Sequence, residues 1–306
     1  SMDTEAAVLF GINDLRIKKL TLPEPGPGQV LVEVAYSGIC HTQLSEIRGR
    51  RGEDRYLPHT LGHEGSGKVL ATGPSVKKVK KGDHVVLTWI KGKGADVPST
   101  LYSLGNTKIN SGAISTFMNR TITCENRIVP IPAAMPLREA ALLGCVIPTG
   151  AGVVFNTAKL KAGMSLVVFG VGGIGLSTVM AAQKAQANPI LAVDIYDSKL
   201  TLARSVGATH GINASQTQNV LQAIHDILGK GGADVAVEAA GKPETMELAF
   251  NCVRVNGGLC VLAGNLAHGG RITLDPFDFI RGKRIVGTWG GETDPDRDIP
   301  EYARMY

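Results

Sequence analysis

The 306-residue sequence predicts an α/β chain in two parts, a β-rich first half followed by a doubly wound parallel sheet. Short β-branched or apolar runs, separated by Gly/Pro clusters, fill the first half. Continuous apolar runs alternating with helical-period stretches fill the second, and the change of rhythm falls near Pro148. Composition agrees with this reading: 43% hydrophobic and 19% charged residues fit a soluble globular enzyme and exclude a disordered chain. The 38 glycines follow no G-X-Y period, so they mark tight turns rather than a collagen-like helix.

In order along the chain, residues 7–10, 15–20, 29–37, 65–72 and 84–89 read as strands of a compact barrel or sandwich, with the cluster Pro23-Glu-Pro-Gly-Pro-Gly28 the plainest break. Residues 91–112 are Gly/Ser/Asn-rich and read as a long surface loop. From about Gly163, buried strands are expected at 166–169, 190–193, 233–238, 258–263 and 284–288. Helices are expected between them at 174–186, 198–206, 217–228 and 243–255. Pro300 suits the first position of a further helix. The domains expected are thus 1–147 and 148–288, with 289–306 starting a return to the first.

The net charge of +5 gathers in two places, Lys77, Lys78, Lys80 and Lys81, and Arg48, Arg50, Arg51 and Arg55. No aromatic residues interleave with the lysines, so solvated loops around a site for anionic ligands explain them better than a nucleic-acid face. No run of about 18 apolar residues occurs, so no membrane partner is expected. The acidic N-terminal stretch does not read as a signal peptide. Five cysteines (Cys40, Cys124, Cys145, Cys252, Cys260), odd in number and without a C-x-x-C pair, are no disulfide framework. A reducing compartment, the cytoplasm, follows as the expected location.

Two constellations carry chemistry. Gly170-Val-Gly-Gly-Ile-Gly175 follows one predicted strand and opens a helix, the context of a dinucleotide fingerprint. Gly170 permits the tight turn and Gly172 a close approach of backbone to pyrophosphate. Gly175 lets helix and strand pack, and Gly173 and Ile174 present the helix N-terminus to the phosphates. Asp194 follows nineteen residues past Gly175, where an acid accepts bonds from the adenosine ribose and repels a 2′-phosphate, favouring NAD over NADP. Lys199 is placed to reach the same ribose. The second constellation is Cys40, His63 and Cys145, a Cys₂His set that leaves the fourth position of a catalytic zinc open. Spacing alone does not establish it, since each residue taken singly also reads as core packing.

The segments Gly38-Ile-Cys-His-Thr42, Gly62-His-Glu-Gly65 and Gly144-Cys-Val-Ile-Pro-Thr-Gly150, upstream of the glycine turn, resemble the zinc-dependent medium-chain alcohol dehydrogenases over nearly the whole chain. The resemblance implies a GroES-like catalytic domain, a Rossmann domain that binds NAD, and hydride transfer between NAD and an alcohol or its aldehyde or ketone. It implies Cys40, His63 and Cys145 as ligands of one catalytic zinc, Glu64 as a carboxylate that approaches the metal during ligand exchange, and Thr42 as the hydroxyl that begins proton release. It further implies His41 beside the cofactor pyrophosphate, and Thr149, Ala263, Gly264 and Trp289 near the nicotinamide. A homodimer or homotetramer is implied as well. The alternatives are a polyol or sugar-alcohol dehydrogenase whose zinc site Glu64 completes in place of Cys145, and a catalytically idle NAD-binding protein of the same fold.

Departures from the family pattern stand out. Gln43 replaces the aspartate that bonds the ligating histidine, and Ser45 stands where some members have a relay histidine. No cysteine occurs between Trp89 and Thr123, so the four-cysteine structural zinc of many relatives is expected to be absent. The family chain continues beyond the position of Tyr306, which makes this one short by comparison. Cys124, Cys252 and Cys260 read as core. His59 and the four arginines around it flank the substrate mouth or form an ordinary solvated loop, and Trp89 and Tyr102 line the cleft or anchor the core.

Overall fold

The computed structural model describes residues 2–306, which divide into two compact units, 2–145 with 294–306, and 146–293. In the first unit β1 (Met2–Gly11), β2 (Asp14–Leu22) and β3 (Gln29–Ser37) lead to the short helix α1 (His41–Ile47). There follow β4 (His59–Thr60), β5 (Glu64–Thr72), β6 (His84–Thr88), β7 (Leu101–Leu104), β8 (Thr107–Asn110), β9 (Arg120–Cys124) and β10 (Ile128–Pro130), then α2 (Leu137–Ala140). Strands β1, β2, β7, β8 and β4 close a barrel, and β10, β6, β5, β3 and β9 form a five-stranded sheet in that order. Leu20, Leu22, Tyr102, Ile109 and Ile122 fill one core, and Val30, Val32, Val85, Leu87 and Ile128 another.

Part of the expected 91–112 loop is therefore a hairpin. β7 and β8 pair antiparallel from Leu101↔Asn110 to Leu104↔Thr107 around Gly105-Asn106, with Gly105 at φ +57°. Tyr102, placed in a cleft by one sequence reading, is fully buried, and its hydroxyl accepts from the Ile122 N–H at 2.9 Å. The rest of the excursion is pinned by carboxylates. Glu125, only 5% exposed, accepts from the N–H groups of Lys77 (2.6 Å), Lys78 (3.0 Å) and Ala95 (2.9 Å). Asp296 accepts from Lys93 N–H at 2.7 Å and pairs with Lys78 Nζ at 2.6 Å.

Burial alone would raise the Glu125 carboxyl, but the bonds from Ala95, Lys77 and Lys78 outweigh it and hold it below its ordinary value. A group with a lowered folded-state pKa adds stability above its unfolded pKa and loses it as pH falls through the folded one. Glu125→Gln is expected to cost about 2 kcal/mol at neutral pH, the worth of charge-assisted bonds to a buried acceptor. The deficit should shrink in acid. Urea midpoints of the two proteins at neutral and acidic pH measure it, and equal midpoints at neutral pH would remove the role.

In the second unit α3 (Val146–Gly152) precedes β11 (Leu166–Phe169), α4 (Gly173–Lys184), β12 (Ile190–Asp194), α5 (Asp197–Ser205), β13 (His210–Asn213) and α6 (Val220–Leu228). Next come β14 (Val235–Glu238), α7 (Pro243–Cys252), β15 (Leu259–Leu262), α8 (Pro276–Ile280) and β16 (Arg284–Gly287). Six parallel strands run in the order β13-β12-β11-β14-β15-β16, from Leu166↔Ile190 to Leu262↔Gly287. All four residues of β11 and of β14 are buried, which is why these runs are continuously apolar rather than alternating. Cys252 and Cys260 lie in this core and Cys124 in the first unit's, as expected.

A last helix, α9 (Pro295–Met305), rejoins the first unit. It starts earlier than expected: Pro295, not Pro300, holds the first turn, where a missing N–H costs no helical bond, and Pro300 lies inside. No single helix among the described residues is long and apolar enough to cross a membrane.

Candidate active site

The first unit gathers Cys40, His63 and Cys145 so that the two sulfurs and a histidine nitrogen lie within 4.8 Å of one another. Cys40 is the N-cap of α1, which puts Thr42 and Gln43 on the turn beside it. Its Sγ stands 3.4 Å from Thr42 Oγ1. His63 follows Gly62, whose φ of +94° excludes other residues without strain and whose Cβ would fall 2.3 Å from Thr116 Oγ1. Cys145 is delivered by a close approach. A Cβ on Gly144 would lie 2.3 Å from the Leu87 carbonyl and 2.8 Å from Glu64 Cα, so only glycine lets this turn press onto β5 and β6. Thr88 Oγ1 locks it by donating to the Gly144 carbonyl at 2.6 Å.

Glu64 opens β5, is buried, and sets its carboxyl in space vacated by Gly38, whose Cβ would sit 2.5 Å from it. It does not belong to the 4.8 Å ligand group. The Trp89 ring stands edge-on to His63, with centroids 6.3 Å apart. Trp89 thus lies at the site, one of the two places the sequence allowed it.

The ionisation of the two thiols is shared. Hydrogen bonding from Cys145, with help from His63 and Thr42 and against burial, lowers the Cys40 thiol to about 3. Cys145 holds the shared proton and is pushed up by that bond, by burial and by Glu64. A thiolate, a thiol and an imidazole form a donor set that a divalent metal completes by displacing the last proton. His63 Nε2 is buried with no partner at hydrogen-bond distance, which fits a metal ligand. Zinc therefore fits these residues.

Gln43 alters the support of His63. Its Oε1 accepts from the Cys40 N–H at 3.2 Å, and its Nε2 meets His63 Nδ1 at 2.7 Å. An aspartate would accept from Nδ1–H at this place. For ligation through Nε2, the Gln43 amide has to turn over and give up the Cys40 bond.

The second unit carries the glycine turn. Gly170 adopts φ +86°, and a Cβ on it would lie 2.8 Å from Ala240 N; one on Gly175 would lie 1.9 Å from the Gly170 carbonyl. A Cβ on Gly172 would meet nothing within 4 Å, the open space a pyrophosphate needs. Gly172 caps α4 without a side-chain bond, leaving the N–H groups of Gly173 and Ile174 at the helix start. Thr149 Oγ1 is buried and unpartnered, a second position whose chemistry fits a bound cofactor.

Asp194 ends β12, with Oδ2 accepting from Val171 N–H at 2.9 Å and Oδ1 from Ile195 and Tyr196 at 2.8 and 3.2 Å. The acid thereby ties the glycine turn to its own strand. Lys199 is exposed, its Nζ 5.4 Å from the Tyr196 ring centre. Ala263 and Gly264 both donate to the Glu238 carbonyl at 2.9 Å, Trp289 is 79% exposed, and His41 is exposed at the start of α1.

Sequence reasoning passed over Glu238. It is fully buried at the end of β14, and its Oε1 accepts from Ala240 and Gly241 N–H and Thr245 Oγ1. Burial pushes its carboxyl up, and Oε2 is left unpartnered 2.5 Å from where a Gly264 Cβ would stand. The available signal was a lone acid closing an apolar strand before Ala-Ala-Gly241.

Residues 26–133 match the family model described as alcohol dehydrogenase GroES-like domain, and 173–306 match the one described as zinc-binding dehydrogenase. S-(hydroxymethyl)glutathione dehydrogenase of Paracoccus denitrificans is 32% identical over 337 aligned positions, covering 100% of this chain and 90% of that protein. The chain belongs to the zinc-dependent medium-chain alcohol dehydrogenases. Among solved structures of the family, a zinc-binding-domain alcohol dehydrogenase of Burkholderia ambifaria superposes with a TM-score of 0.92 at 32% identity, over 99% of this chain and 88% of that one. Benzyl alcohol dehydrogenase of Acinetobacter calcoaceticus gives 0.89 at 33% identity, over 100% and 89%. As a family member the chain is a dehydrogenase that uses zinc and a nicotinamide cofactor.

Proposed function

We propose that this dehydrogenase oxidises an alcohol to its aldehyde or ketone, or runs the reverse, with NAD as hydride acceptor and one zinc held by Cys40, His63 and Cys145. The observation that carries the reading is the convergence of those three donors around an unpartnered His63 Nε2. Zinc bound there supplies a Lewis acid that lowers the pKa of an alcohol, or polarises a carbonyl, at neutral pH. Thr42, whose hydroxyl lies beside Cys40, accepts the substrate hydroxyl proton, and Ser45 stands one turn further along α1 to pass it on. NAD held in the second unit would supply the hydride acceptor, and the proton released by the alcohol passes by way of Thr42 and Ser45 to solvent. Glu64, buried behind the ligands, raises the cost of negative charge on Cys145 and so promotes ligand exchange.

In the second unit, the reading assigns pyrophosphate to Gly170, Gly172 and the N–H groups of Gly173 and Ile174, with Gly175 packing helix on strand. Asp194 and Lys199 take the ribose, and Thr149, Ala263 and Gly264 line the nicotinamide end. The absence of Glu64 from the ligand group favours this reading over the polyol-type site. The five free thiols support a cytoplasmic location. The edge strand β16, with Val286 exposed and Phe277, Phe279 and Ile280 of α8 exposed nearby, supports a homo-oligomer.

Metal analysis joined to a panel of alcohols and aldehydes tests the proposal. One zinc per chain, removable by chelation with loss of alcohol-dependent NADH formation, is expected. A chain that binds NAD but no zinc sinks it. Light scattering on the same preparation reads the oligomer.

A further inference from the structure

A second group of ligand-type side chains lies outside the Cys40–His63–Cys145 set. Glu46 in the last turn of α1, Asp54 in the loop that follows and His59 at the start of β4 each place one ligand atom within 4.8 Å of the others. The His59 side chain is 7% exposed, so it is no anchor for anions at a substrate mouth; Arg48, Arg50, Arg51 and Arg55 are all exposed.

Counting hydrogens shows what the group lacks. His59 Nδ1 lies 2.8 Å from the Thr60 carbonyl, which can only accept, so Nδ1 carries hydrogen. In the neutral ring Nε2 is then a bare lone pair, and it faces Asp54 Oδ2 at 2.6 Å and Glu46 Oε1 at 3.6 Å. A lone pair directed at two carboxylates is repulsive, so a positive charge belongs among the three atoms. A single proton on Nε2 leaves one negative charge in excess among the three side chains, each at least three-quarters buried, with the exposed Arg51 the other cation near both carboxylates. Burial accordingly pushes the Glu46 carboxyl up, with His59 and Arg51 opposing and Asp54 adding to the rise. A divalent cation with a neutral imidazole and two carboxylates balances the charge.

We propose that Glu46, Asp54 and His59 form a second cation site, which takes a first-row divalent ion such as zinc. One imidazole nitrogen and two carboxylate oxygens are a recognised donor class for such ions. Zinc at ligand distances of about 2.1 Å sets tetrahedral neighbours roughly 3.4 Å apart, well inside the 4.8 Å envelope. The Nδ1–H bond to a backbone carbonyl is the restraint that orients ligating histidines. The ion joins α1, the arginine-bearing loop and β4. It staples that loop to the segment that reaches His63 four residues after His59.

Titrating the metal-free 306-residue chain with Co²⁺, followed by absorbance, separates the two sites by ligand type. Two equivalents are expected in the unaltered protein. One gives an intense near-ultraviolet band from thiolate-to-cobalt charge transfer at Cys40 and Cys145; the other gives only weak visible bands. Asp54→Asn and, separately, Glu46→Gln should each bind one equivalent and keep the thiolate band. Both side chains are about a quarter exposed (24% and 25%) and both replacements are near-isosteric, so folding is not at stake in both. Saturation of the unaltered protein at one equivalent, with the thiolate band present, overturns the proposal and leaves a proton on Nε2. So does uptake of two equivalents by both variants. The thiolate band reports the first site in every case, so loss of the catalytic-zinc reading shows up separately.

Discussion

Cys145→Ala is expected to strip the chain of its tightly held zinc and to lower alcohol-dependent NADH formation by about 10³-fold or more. The estimate follows from the several kcal/mol a Lewis-acid metal contributes to stabilising developing negative charge, where about 4 kcal/mol corresponds to a thousandfold in rate. The fold should survive, because the substitution removes a single sulfur atom, although Cys145 is only 6% exposed and the small cavity costs some stability. NAD binding should survive too, since the residues proposed to hold the cofactor belong to the other unit. The variant thus pairs two readouts that a general loss of structure would move together: metal content should fall while NAD affinity, read by fluorescence titration, stays put. If the variant keeps a full equivalent of zinc, Glu64 completes the site instead and the polyol-type reading takes over. If zinc falls but activity does not, the metal is not catalytic.

The parts of this molecule differed in how far their residues announced themselves. The glycine turn was legible because its chemistry is contiguous: strand, turn and helix start lie between Leu166 and Lys184. The requirement for glycine comes at Gly175 from the Gly170 carbonyl and at Gly170 from its own positive φ, with Ala240, distant in sequence, adding a contact. The alternation of buried strands with helices was legible at β11, β12, β14 and β15, whose runs are apolar on both faces. But β13 (His210–Asn213) is short and polar and was passed over, and β16, expected to be buried, is mostly exposed. Cys40, His63 and Cys145 are far apart in sequence, and what brings Cys145 in is Gly144 fitting under the Leu87 carbonyl, a contact with no local signature. Family motifs, not spacing, made that set visible.

The β7–β8 hairpin was missed although Gly105-Asn106 is a hairpin signal, because the flanking runs are four residues each and set in a polar stretch. Pro300 misled because proline is common at helix starts, and Pro295 had the stronger claim, following Asp294. Glu46, Asp54 and His59 have no recurring spacing, and only the fold of the loop brings them together.

Asp194→Asn is expected to collapse the preference for NAD over NADP by about a hundredfold, through a loss with one cofactor and a gain with the other. The carboxylate does two things that the amide separates. It holds the glycine turn by accepting from Val171 N–H, and an asparagine oxygen can keep one such bond. In the proposed cofactor mode it also presents negative charge to the ribose, which an amide does not. Acceptance of ribose hydroxyls by an ionised oxygen exceeds that by a neutral one by about 1 to 1.5 kcal/mol, roughly tenfold in kcat/KM with NAD. Repulsion between a carboxylate and a 2′-phosphate about 5 Å away is of order 1 to 3 kcal/mol at solvent-exposed dielectric, so relieving it should raise kcat/KM with NADP by at least tenfold. Steady-state kinetics with the two cofactors at one alcohol concentration give the ratio directly. If the ratio is unchanged while the thermal midpoint drops, Asp194 serves only to brace the turn at Val171 and the ribose is held elsewhere.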